Sequence, residues 1–238
     1  MIVLGFDSTA KAASVAVTDS EKLLAVYNID NGLTQSELLL PMAEHVLASL
    51  KLDFSDVELL ACSVGPGSFT GVRIGAALVK GIAFGKNIPC VSVSTLEALA
   101  ESLSGLEGII VPVMDARRGQ LYTAIFEGTD SGVSRISEDA AISVSELAVK
   151  LAEYSGKRNI YLVGDGYGVA KAALSELGTV ISSTPELLKN ENAYSVARVA
   201  ARLYKEGKSV SDTEITPTYL RVPQAERERL EKLKNENT

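Results

Sequence analysis

Ile2–Val17, IVLGFDSTAKAASVAV, and Ile109–Phe126, IIVPVMDARRGQLYTAIF, carry one pattern twice. Each reads as an apolar strand, an aspartate, a short polar turn and a second apolar strand. Asp7 and Asp115 are the matching aspartates. Repetition at domain scale predicts duplication, and hairpins followed by helical stretches predict an α/β chain with one sheet in each half. Gly105 and Gly108 punctuate the chain between the two units. The expected domains are therefore 1–104 and 105–222, with 223–238 as a densely charged tail. The helix expected near 193–206 is assigned to pack back on the first domain.

Between the hairpins lies Leu59–Gly85, LLACSVGPGSFTGVRIGAALVKGIAFG. Its first residues form a buried strand. Gly65, Pro66 and Gly67 end it, and Ser68 or Thr70 can cap the helix that follows. A glycine turn opening a helix is an anion-binding shape, but a P-loop needs a lysine where this chain continues Gly71-Val72-Arg73-Ile74. The stretch reads instead as a packing helix. Gly75 and Gly81 each cost about 1 kcal/mol relative to alanine, so another backbone is expected to approach them. An earlier helix starts at Thr34 or Ser36 and runs to about Leu50, apolar on two faces, with Pro41 expected to bend it or delay its start.

Composition narrows the function classes. The 238 residues are 46% hydrophobic and 22% charged with a net charge of −7, an ordinary soluble composition that disfavours direct grip on nucleic acid. No apolar run reaches a membrane span, and the N-terminus reads as a strand rather than a signal peptide. Cys62 and Cys90 sit in apolar runs, as reduced residues of a cytoplasmic protein do. His45 is the only histidine. With no ligand cluster at metal spacing and no nucleophile motif, neither a metal site nor a catalytic residue is assigned, and a peptidase ranks last.

Two halves that each open strand–Asp–turn–strand are similar to the actin-like, sugar-kinase and Hsp70-type ATPase fold (ASKHA, ribonuclease H-like). Such hairpins face each other across a cleft and embrace nucleotide phosphates. Turn N–H groups and small hydroxyls suit phosphate oxygens, and an aspartate suits Mg²⁺. Asp7, Ser8 and Thr9 fit the first loop and are the candidates for a vestigial phosphate loop. The second loop, Asp115 to Gly119, fits poorly because Arg117 and Arg118 replace small residues. The alternative function is an ATPase or small-molecule kinase using Asp7 and Asp115.

DSTAKAASVAV, QSELLLP, GPGSFTGVRIG, VSTLEALA, MDARRGQLYTAIF, PTYLR and QAERE occur in that order along the chain. Together they resemble the TsaB (YeaZ) family, bacterial accessory proteins for the threonylcarbamoyladenosine (t6A) modification of tRNA. The resemblance implies a degenerate actin-like protein, a non-catalytic scaffold and activator. Its partners would be the catalytic paralogue TsaD, in a heterodimer, and the ATPase TsaE, with a homodimer when alone and tRNA met only through the complex. It implies no cofactor in the chain itself, with ATP or ADP at an interface of the complex. The paralogue's two metal-binding histidines correspond to Thr95 and Leu99, and the family's usual histidine to Gln35. The two long helices would form the partner surface, with Leu39, Met42, Ala43, Val46, Arg73, Ala76, Ala77 and Lys80 as interface candidates.

Overall fold

Small and branched apolar residues build Ile2–Asp7 (β1) and Ala13–Asp19 (β2), which pair antiparallel, and Lys22–Ile29 (β3) adds outside β2. The computed structural model describes residues 1–130 and 132–221, so the charged tail expected over 223–238 lies outside the described residues. Leu59–Ser63 (β4) joins the other side of β1 in parallel, and Cys90–Val93 (β5) follows it, giving the sheet order β3-β2-β1-β4-β5.

The second half repeats this plan around Gly108–Asp115 (β6). Gln120–Thr123 (β7) and Phe126–Thr129 (β8) pair antiparallel with successive parts of β6, and Ile160–Val163 (β11) pairs with it in parallel. Gly132–Arg135 (β9) pairs with β8, and Ala140–Ser143 (β10) with β7. Each central strand thus carries an antiparallel hairpin on one side and a parallel strand on the other. That is the duplicated actin-like α/β fold.

Gln35–Ser49 (α1) starts at Thr34, whose side chain and Glu37 form a capping box. Pro41 lies inside α1 without ending it, contrary to the expected delay. Phe69–Ala83 (α2) is capped by Ser68, whose Oγ accepts from Gly71 N. Both helices cover one face of the first sheet, where Leu39, Met42, Ala43, Val46, Leu47, Ala76 and Val79 meet Leu4, Phe6, Val15 and Leu60. The opposite face is covered by Ala193–Lys205 (α6), through Val196, Ala197, Val199 and Ala200 against Val3, Leu59, Ala61 and Val91.

Gly5 lets α6 sit tight on β1, since a Cβ there would lie 2.8 Å from Ala193 O. Thr95–Glu101 (α3) packs between the sheets with Leu96, Leu99 and Leu103 on Ile110, Met114 and Phe126. Val144–Leu151 (α4) and Tyr167–Glu176 (α5) cover the second sheet through Leu147, Leu151, Ala170 and Leu174. No helix among the described residues is long and apolar enough to cross a membrane.

Candidate functional site

The C-terminal ends of β1 and β6 point their loops at one cleft of about 680 Å³. Thr9, Lys11 and Gln35 line it from the first half, Asp115, Arg117 and Asp165 from the second. Ser68, Phe69 and Thr70 of the α2 turn and Thr218–Arg221 close its sides. The two hairpins therefore do face each other.

The first loop, however, is filled by the chain's own α2. Asp7, Ser8 and Thr9 are each 1% exposed. Asp7 accepts from Thr9 N at 2.9 Å, from Thr9 Oγ1 at 2.8 Å and from Ser63 Oγ. Ser8 Oγ donates to Gly71 O at 2.8 Å, and Thr9 O accepts from Ser68 N at 2.7 Å. A Cβ on Gly71 would lie 1.9 Å from Ser8 O, one on Gly67 2.6 Å from Thr9 O, and one on Gly75 2.6 Å from Ser8 Oγ.

The side chains of Asp7, Ser8 and Thr9 are committed internally, and the α2 turn packs directly against the loop. Neither hydroxyl of this loop has its proton free to donate to a phosphate. The close neighbour expected of Gly75 lies within the chain. It is Ser8, which also abuts Gly71, while a Cβ on Gly81 would meet no residue outside its own helix within 4 Å among the described residues.

The second loop is open. Arg117 and Arg118 have φ of 62° and 57°, followed by Gly119 at 73°, a left-handed run that folds β6 back into β7. Asp115 Oδ1 accepts from Arg117 N at 2.7 Å, and Asp115 N donates to Asp165 at 3.2 Å. Lost hydration raises the Asp7 carboxyl above its ordinary range, against the hydrogen bonds from Ser63 and Thr9. Asp165 is raised chiefly by the same cause. Between the halves, Glu191 is 6% exposed, and its Oε1 has no hydrogen-bond partner among the described residues. Burial first, then the charges of Asp7 and Asp165, push it up to about 8.

Asp7 and Asp115, the two aspartates matched by sequence, are thus treated differently, one sealed and one exposed on the cleft wall. Asp165 and Glu191 were not singled out by sequence. The Gly164–Gly168 turn was a signal for the first, whereas nothing local marked the second. No group of three or more His, Cys, Asp or Glu among the described residues is arranged to hold a metal ion. Cys62 and Cys90 are free and buried.

Among the interface candidates, Leu39, Met42, Ala43, Val46 and Ala76 face inward. Their apolar side chains are spent on the sheet, so they are corrected to core residues. Arg73 and Ala77 are exposed and Lys80 is half-buried. With Phe69, Gly81 and the 78%-exposed Phe84 they form an outward stripe along α2. On α1 the outward residues include Leu40, Pro41, Glu44, His45 and Ala48. Gln35 donates through Nε2 to Ala10 O at 2.9 Å, fixing the start of α1 to the first loop.

The family model described as TsaD, tRNA N6-adenosine threonylcarbamoyltransferase, matches residues 34–229. The tRNA threonylcarbamoyladenosine biosynthesis protein TsaB of Escherichia coli (strain K12) is 30% identical over 224 residues, covering 93% of this chain and 95% of that one. The Bacillus subtilis (strain 168) protein of the same name is 27% identical over 241 residues, covering 98% and 100%. The solved structure of YeaZ from Pseudomonas aeruginosa superposes with a TM-score of 0.76 at 23% identity, covering 92% of this chain and 99% of that one.

Proposed function

The chain belongs to the TsaB (YeaZ) family of tRNA threonylcarbamoyladenosine biosynthesis proteins, and from that premise we propose that it is the non-catalytic scaffold and activator of the threonylcarbamoyltransferase complex. In this reading it pairs with the catalytic paralogue TsaD, works with the ATPase TsaE, and meets tRNA in the cytoplasm only through the complex. When the partner is absent, the same surface supports a homodimer. The observation that carries the reading is the sealed first loop: a chain whose Asp7–Thr9 turn is packed under its own helix has exchanged a phosphate site for internal rigidity.

Two further features support it. Thr95 and Leu99, at the positions that correspond to the paralogue's histidines, are buried and apolar or weakly polar, so the match to the transferase model is read as shared ancestry rather than shared chemistry. The exposed α2 stripe offers small residues, Ala77 and Gly81, between two aromatic ends, a surface on which a partner helix can approach closely. A specific interface there is expected to bury roughly 1,200–2,000 Å² in total. The chain carries no cofactor of its own in this reading, and ATP or ADP of the complex is held where its subunits meet.

The test is mass spectrometry of tRNA nucleosides after depletion of the protein, with re-expression as control. Loss of t6A supports the reading, and unchanged t6A defeats it. Co-purification with TsaD at micromolar concentration tests the pairing separately. The alternative ATPase or kinase needs both aspartates at the cleft, and the burial of Asp7 speaks against it.

A further inference from the structure

We propose that Thr216–Arg221 is a strap that covers the N-terminal end of the α2 stripe in the free chain and is displaced when a partner occupies that stripe, opening the mouth of the cleft. This rests on the reading of α2 as the partner-facing helix.

The strap follows Ile215, which is fully buried in the α1–α2 core. Beyond it the chain is held by a few surface contacts. Thr218 N donates to Val64 O at 2.7 Å, and Thr218 O lies 2.5 Å from where a Cβ on Gly65 would stand. Any side chain at position 65 would lift the strap. Tyr219 lies with its ring centroid 5.0 Å from that of Phe69, and its Oη accepts from Arg73 Nε at 2.8 Å. The Arg73 guanidinium stands 3.7 Å over the Phe69 ring. Arg221 Nη1 then donates to Ala116 O at 2.5 Å and to Arg117 O at 3.4 Å, in the β6–β7 turn.

One end is therefore fixed to α2 and the other to the second half, and Thr218–Arg221 line the cleft they bridge. Packed helices lie about 8–10 Å apart along their axes, which leaves no layer for a tyrosine ring between them. Tyr219 occupies the first turn of the stripe, so a partner helix using the stripe's full length must remove it. At the stripe itself the contacts that resist are exposed and individually modest: the Arg73–Tyr219 hydrogen bond, the Phe69–Tyr219 ring pair and the Arg73 guanidinium 5.7 Å from the Tyr219 ring centre. Among the described residues Arg73 forms no ion pair, so its outer nitrogens remain open to a carboxylate on the partner. The partner that fits is thus an apolar helix with an acidic residue near the end that meets Arg73.

The experiment is hydrogen exchange by mass spectrometry on the full chain, followed by affinity measurement against TsaD. Tyr219→Ala and Arg73→Ala should each speed exchange at the Thr218 amide about tenfold while β4 stays protected. Unchanged exchange in both variants overturns the strap. Both side chains are exposed, so a wild-type melting profile is the expected folding control. Tyr219→Ala should also bind TsaD at least threefold more tightly, because nothing then competes for the first turn. Equal or weaker binding overturns the displacement and leaves docking on α2 standing. Failure of wild type and variant alike to bind removes the docking reading itself.

Discussion

Ser8 and Gly71 meet so closely that the smallest side chain at position 71 would collide with the Ser8 carbonyl. Gly71→Ala should destabilise the protein by roughly 1–3 kcal/mol, the usual cost of overpacking, read as a lower urea midpoint. A second residue-scale prediction concerns Glu191. Its carboxyl is raised from 4.5 to about 8 in the folded chain, so the native state holds a proton that the unfolded state releases. Stability is then greatest below the unfolded value and falls as pH climbs from about 4.5 to about 8. The slope approaches about 1.4 kcal/mol per pH unit where only the native form is protonated. Glu191→Gln should flatten that decline and raise the melting temperature at pH 8, and an unchanged pH profile would refute the assignment. Asp7 was legible from sequence because it ends a strand before a Ser-Thr turn. Glu191 was not, because its burial depends on residues distant in the chain.

Helix α2 shows how one element serves two surfaces. Gly71 and Gly75 face Ser8 on the inside, while Gly81 faces open space on the outside. Gly81→Ala should therefore stabilise the isolated chain by up to about 1 kcal/mol, since it removes backbone freedom without a clash. The same substitution should weaken association with TsaD if a partner helix approaches there. Gly75→Leu should do the reverse of the first effect, lowering stability before any partner is added. Thermal melts of the two variants alone, then binding isotherms, separate the roles. Sequence periodicity identified α1 and α2 as apolar on more than one side. It could not say which apolar residues face the sheet, because one face and its neighbour differ by a single step of the helix. Leu39, Met42, Ala43 and Val46 went to the core, and the shorter list of outward residues was left for the surface.

Over the whole molecule, the two sheets are joined through α3 and α6. Glu97 on α3 meets Arg202 of α6 at 2.7 Å and Arg135 of β9 at 3.4 Å, and Ser94 Oγ donates to Asp139 at 2.7 Å. Glu97→Ala removes an acid shared by the half-buried Arg135 and the exposed Arg202 and should cost about 1–2 kcal/mol. Glu21→Ala, which breaks only the exposed pair with Lys205, should stay within about 0.5 kcal/mol. Chemical denaturation of both variants provides the comparison, and equal effects would mean that the α3 junction does not bind the halves together. The sequence by itself determined the duplicated hairpins, the α/β class and the family, because strand alternation, turn residues and motif order are local and survive without neighbours. Only the tertiary structure decided that the Asp7–Thr9 loop is sealed, that Asp165 and Glu191 approach it, and that the Thr216–Arg221 segment bridges the cleft. Those outcomes depend on which distant backbones come within a few ångströms of each other, and no local pattern encodes such a distance.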